Sequence, residues 1–187
     1  TGAVVGVLYN AEPSVDFGGG LFIPDDQSGC FSSQLTFTSF NPGAVVNDAN
    51  VDIINSFINF EHSYMGDITI TFICPSGQSI LVHQQGGNGT YLGVPIDNDA
   101  DLTPGTGWDY YWEPGATNGT WVDNAGGVTL PSGAYESIQP FTNLNGCPLN
   151  GTWEIEVCDL FGQDNGFIFD WSIEFAPELY PEAISFT

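Results

Sequence analysis

The residues able to do chemistry are few in type and lopsided in charge. Of 187 residues, 23 are Asp or Glu, two are His and none is Lys or Arg, for a formal net charge of -23. Nucleophilic catalysis needs a nucleophile, a base and a group that orients the base. The only imidazoles are His62 and His83, with Ser63 and Ser76 nearby, and the PSGQS run at 75–79 reads as a turn rather than a nucleophile elbow. A carboxylate pair suited to glycoside hydrolysis carries no information among 23 acids. The expectation is a non-enzymatic chain, in which His62 is a hydrogen-bonded strand histidine and His83 ends a strand in a structural role.

Hard-cation chemistry fits the composition better. Asp97, Asp99 and Asp101 in IDNDADL set oxygens at alternate positions, the spacing calcium loops use, with backbone carbonyls and water completing six to eight ligands. The run is not an EF-hand, because Leu102 and Trp108 stand where that loop needs Gly and Glu. Zinc is disfavoured by the shortage of histidine. Trp108, Tyr110, Tyr111, Trp112 and Trp121 lie close together in a loop-rich stretch. They are either a satellite core beneath a long loop or a stacking platform for sugar rings or a protein partner.

The absence of Lys and Arg excludes a phosphate clamp, a basic nucleic-acid groove and a polybasic membrane patch. No run of eighteen apolar residues is present to span a membrane, and no cationic leader precedes an apolar stretch. Acidity does not mean disorder here, since 42% of the residues are hydrophobic and 14% aromatic. Spread over the roughly 8,700 Å² expected for a fold of this mass, the carboxylates stand about 19 Å apart. Against a Debye length of about 8 Å at physiological salt, their repulsion is screened in saline and grows in dilute buffer. An extracellular, ion-rich setting is therefore expected, secreted or at the cell surface. The four cysteines, 30, 74, 147 and 158, contain no CxxC pair and are consistent with two disulfides.

The elements that must position these residues are short strands. Gly (24), Pro (12) and Asn punctuate the chain every eight to twelve residues, and β-rich runs lie between them at 3–9, 34–40, 51–62, 67–73, 79–83, 152–158, 167–175 and 183–187. Ile68, Ile70 and Phe72 alternate with polar residues, as do Trp153, Ile155 and Val157, which is the pattern of antiparallel strands with one wet face. The fold class expected is all-β, a sandwich with long loops. Residues 1–33 read as an N-terminal extension, or a strand exchanged with a neighbour, 34–176 as the sandwich, and 177–187 as a C-terminal linker and strand. The apolar runs AVVGVLY and AISFT could complete a sheet within the chain or pair with an edge in another copy.

Residues 61–82, EHSYMGDITITFICPSGQSILV, and 150–175, NGTWEIEVCDLFGQDNGFIFDWSIEF, resemble the two blocks of the proprotein convertase P domain (P/Homo B domain). The likeness covers roughly 41–176. Its wording is most similar to copies in large secreted proteins of Bacteroidota-type bacteria. The resemblance implies a jelly-roll-like β-sandwich, usually calcium-stabilised, found beside subtilisin-type proteases and in bacterial secreted and surface proteins. It also places Asp67, Asp159 and Asp164 at strand ends along one sandwich edge, as a second set of candidate calcium ligands. Cys74 and Cys158 depart from the family pattern. Both follow alternating strands, so the pairing expected is Cys74–Cys158 with Cys30–Cys147, the second stapling the extension to the body, with free buried thiols as the alternative. The function expected is a calcium-associated structural or adhesive module, partnered by neighbouring domains or copies of itself. Alternatives are a carbohydrate-binding module for surface glycans, or the accessory domain of a subtilisin-type protease.

Overall fold

The computed structural model describes residues 14–23, 29–98 and 100–181. Two sheets face each other. One has the order β1 (Ser14–Ile23), β9 (Gly166–Phe175), β3 (Ile53–His62), β6 (Trp108–Trp112) and β7 (Gly133–Tyr135). The other has the order β2 (Cys30–Phe37), β8 (Gly151–Asp159), β4 (Ile68–Ile73) and β5 (Ser79–His83). Neighbours pair antiparallel except β6 with β7, which are parallel. The chain is a β-sandwich.

Period-two alternation explains how the core forms. On β4, Ile68, Ile70 and Phe72 are buried while Thr69, Thr71 and Ile73 are half-exposed, and β8 buries Trp153, Ile155 and Val157 opposite them. Phe72 lies 6.0 Å, ring centre to ring centre, from both Trp112 and Trp171, while Trp153 packs edge-on against Phe175 at 5.3 Å. Two of the indoles keep partners: Trp153 Nε1 donates to the Leu149 carbonyl and Trp171 Nε1 to Ser33 Oγ. Pro75, Ser76 and Gly77 form the turn between β4 and β5, with Gly77 at φ 86°, a conformation open to glycine without strain.

Several expectations are corrected. The strand expected at 51–62 begins at Ile53, because Asp48 caps the helical turn α1 (Ala49–Asp52) by accepting from Asn50 N, and Asp52 accepts from Asn47 N and Asp48 N. Trp108–Trp112 forms a strand within the stretch read as loop. The segment set apart as an extension supplies strands to both sheets: β1 pairs with β9, and β2 pairs with β8 in unbroken register. The runs at 3–9 and 183–187 lie outside the described residues.

The cysteines form two disulfides, paired Cys30–Cys158 and Cys74–Cys147. This overturns the expected pairing, and the reason is strand direction. Antiparallel neighbours end at opposite edges of a sheet, so residues that each follow a strand are driven apart. Ile73 stands opposite Glu154 and Cys158 opposite Thr69, so Cys74, five residues beyond Thr69, is about 17 Å from Cys158 along the strand at ~3.4 Å per residue. Cys158 instead faces Cys30 directly across the β2–β8 pair.

Candidate metal centre

The loops at one end of the sandwich gather most of the candidate ligands. β3 reaches this end with Glu61 and His62, followed by Ser63 and the 3-10 turn Met65–Asp67. His62 is fully buried. Its Nδ1 accepts from Tyr64 N at 3.0 Å, so Nε2 carries the proton and donates to Asp159 Oδ2 at 3.2 Å. The other oxygen of Asp159, which ends β8, accepts from Phe161 N. This pair ties one sheet to the other, which is the structural role expected of His62. Each oxygen of Asp159 accepts one bond and keeps a second lone pair, so the residue braces this end while staying in the candidate set.

Beside it is an open cleft of about 410 Å³ lined by Tyr64, Asp67, Asn88, Phe161, Gln163 and Asp164. Three non-glycine residues have positive φ among the described residues, Asn88 (52°), Gln163 (101°) and Asp164 (71°), and all three line this cleft. Asp67 is 8% exposed, and its carbonyl accepts from Leu160 N. Asp164 accepts from Ser63 Oγ at 3.3 Å.

The first candidate set converges on the same end. Asp97 accepts from the Tyr91 hydroxyl at 2.7 Å. That bond, followed by burial and the fields of Asp97 and Asp164, pushes the phenol up from its ordinary value, so the hydroxyl senses one acid from each set. Asp101 accepts from Thr103, whose side-chain and backbone donors hold the carboxyl below its usual range, and its carbonyl accepts from Asn165 Nδ2 at 3.5 Å. Asp99 lies outside the described residues. The donors gathered here are all oxygen, the type calcium takes. Among the described residues the one group of three metal-ligating side chains within 4.8 Å is Cys30, Glu156 and Cys158, and its two sulfurs are already joined.

Sequence reasoning missed Glu61. It is 1% exposed, with Oε1 accepting from Gly105 N at 3.2 Å and Oε2 buried without a partner. Burial pushes its pKa up to about 7, against a smaller downward pull from the Gly105 bond. Val94 and Thr106 bond to each other through both backbone groups, closing the neck of the acidic loop, and Glu61 sits against that neck. His83 is the converse case: it is fully buried, bonded through Nε2 to the Met65 carbonyl, and pulled down to about 4 by burial.

The aromatic group is divided by the strand it lies on. Tyr110 and Trp112 point into the core, where Trp112 stacks on buried Trp121 at 4.8 Å and Trp121 contacts His83 at the same distance. Tyr110, Trp112 and Trp121 belong to the main core rather than to a satellite beneath a loop, and they present no platform. Trp108 and Tyr111 are half-buried.

The proprotein convertase P-domain family model matches residues 51–175. A search of curated proteins finds no match. Among solved structures, the Aeromonas sobria serine protease in complex with the chaperone ORF2 is similar at 12% identity and a TM-score of 0.35, and the same protease alone at 12% and 0.34. Each alignment covers 88% of this chain and 27% of the protease, so the chain spans about a quarter of those proteins. With the family model covering two thirds of the sequence, the chain belongs to the proprotein convertase P-domain family.

Proposed function

We propose that this chain is a non-catalytic, extracellular, calcium-associated β-sandwich module with a structural or adhesive role at the cell surface. The observation that carries the reading is the approach of two acidic loops, joined by the Asn165 Nδ2 bond to the Asp101 carbonyl, in a chain that holds no Lys or Arg to neutralise them. Asp67, Asp97, Asp101 and Asp164 are the ligands of choice, and Asp99 belongs to the same sequence run. A divalent cation bridging the loops would relieve their repulsion and fix their separation.

Self-association is the second part of the reading. Edge strand β2 is uncharged along its eight residues and, among the described residues, has no strand on its outer side. Such an edge accepts an added strand from a neighbouring domain or copy, as in a filament. The two disulfides fit an oxidising compartment. The setting that unites these features is a large secreted protein of the Bacteroidota-type bacteria. Family membership supports a second reading, the accessory domain of a subtilisin-type secreted protease, for which a protease domain in the same reading frame is the deciding sign.

The test is thermal melting of chelator-treated protein in low salt. A ligand at about a hundred times its Kd adds about 2.7 kcal/mol. For a chain of this size that raises the midpoint by about 5 to 10 °C. Calcium should produce that rise, and a midpoint unmoved by calcium contradicts the metal reading.

A further inference from the structure

The outer face of the five-stranded sheet carries a pattern unrelated to the acidic end. Cross-strand register lines Ser14, Ser172, Phe57 and Tyr111 in one row over β1, β9, β3 and β6. Two residues along, about 7 Å away, Asp16, Asp170, Asn59 and Asp109 make the next row. On the opposite side of the first row, Asn55 stands against Glu174. Chain neighbours of these residues, Ile58, Tyr110 and Trp112, are buried in the core, so Phe57 and Tyr111 face away from it. Their rings lie 5.0 Å apart at 34° and are half-buried.

The flanking rows hold acceptors and donors in pairs. Asn59 Nδ2 donates to Asp109 Oδ1 and Asn55 Nδ2 to Glu174 Oε2, both at 2.7 Å. Each amide has a second N–H, that of Asn59 on a half-buried residue and that of Asn55 on a buried one, while Asp170 Oδ1 is buried without a partner. Burial, then the fields of Asp109, Glu174 and Glu113, push the Tyr111 phenol up, which places its hydroxyl among carboxylates from both sides. An anionic ligand would be repelled by this face, and an apolar peptide would strip water from its carboxylates without replacing the lost hydrogen bonds. A sugar ring offers C–H bonds on its flat faces and hydroxyls around its rim, which is the complement of an aromatic row between two rows of carboxylates and amides.

We infer that a neutral polysaccharide binds across this face, with sugar rings on Phe57 and Tyr111 and hydroxyls bonded to the Asn59–Asp109 and Asn55–Glu174 pairs. The inference rests on the adhesive half of the reading above and names its ligand class. It replaces Trp112 and Trp121, which are buried, with residues of the opposite face.

The experiment is affinity electrophoresis through native gels cast with barley β-glucan, xyloglucan or galactomannan, with alginate as the anionic control. At least one neutral polymer should retard the chain, alginate should not, and Tyr111→Ala should weaken the retardation about tenfold or more. Asn59→Ala, read in parallel, keeps the test alive should Tyr111→Ala fail to fold, and Leu102→Ala, an exposed residue on the acidic loop, should behave as the parent. Three results overturn the inference: no retardation by any neutral polymer, retardation unaffected by both variants, or self-association abolished by Tyr111→Ala, which would give the face to a second copy. None of them touches the calcium-dependent melting, so the two readings fail separately.

Discussion

Reducing the disulfides should cost this protein more stability than any other single treatment. Cys30–Cys158 closes a separation of 128 residues and Cys74–Cys147 one of 73. In the chain-entropy account these restrict the unfolded chain by about 5 and about 4 kcal/mol. The second loop is nested within the first, so the combined loss falls below the sum. It is still a large share of the 5 to 15 kcal/mol that typically separates folded from unfolded states. The expected result is a sharp fall in the urea midpoint on reduction, with Cys30→Ser/Cys158→Ser losing at least as much as Cys74→Ser/Cys147→Ser. Trypsin has no site in this sequence, so the linkage is read from unreduced peptides cut at Asp or Glu. Peptides joining Cys74 to Cys158 would contradict the fold's register.

The second large effect concerns pH. Burial pushes the Glu61 carboxyl up to about 7 from its ordinary 4.5, so between those values the folded chain holds a proton that the unfolded chain has released. Its contribution to stability is full below pH 4.5 and declines as pH rises to 7. His83 titrates at about 4 against 6.5, so the unfolded chain takes up a proton that the fold refuses. Its contribution is full above pH 6.5 and declines as pH falls to 4. Between pH 4.5 and 6.5 the two slopes are opposite, each ~1.4 kcal/mol per pH unit. The parent, in chelator, should therefore show a nearly level stability over that interval. Glu61→Gln should expose the His83 slope, with stability climbing by roughly 3 kcal/mol from pH 4.5 to 6.5. Urea midpoints at four pH values decide it: a variant as level as the parent removes Glu61 from the account.

How much of this was legible in the sequence follows from where neighbouring residues differ in polarity. β4, β5, β8 and β9 were placed within a residue because they alternate or are bounded by turn residues. β1 was not, since Gly18–Gly20 reads as a break but lies within one strand where the register shifts between Asp16 and Leu21. β6 shows only a weak alternation because its outer face holds an aromatic ring, Tyr111, beside Asp109, so WDYYW resembles a loop cluster. Asp97, Asp99 and Asp101 stand out by spacing and Asp67, Asp159 and Asp164 by the family resemblance, yet the approach of the two sets depends on Tyr91 and Asn165, which belong to segments distant in sequence. Glu61 carries no local signal at all: it looks like any strand-end acid until residues 93–106 fold against it.

The central claim is that the two acidic loops hold calcium together. Its most direct measurement is calorimetric titration of calcium into the chelator-treated chain, beside Asp164→Asn and Asp97→Asn. The account predicts saturable binding in the parent, weakened about tenfold or more by either substitution. Binding that is absent in the parent, or equal in all three proteins, would contradict it.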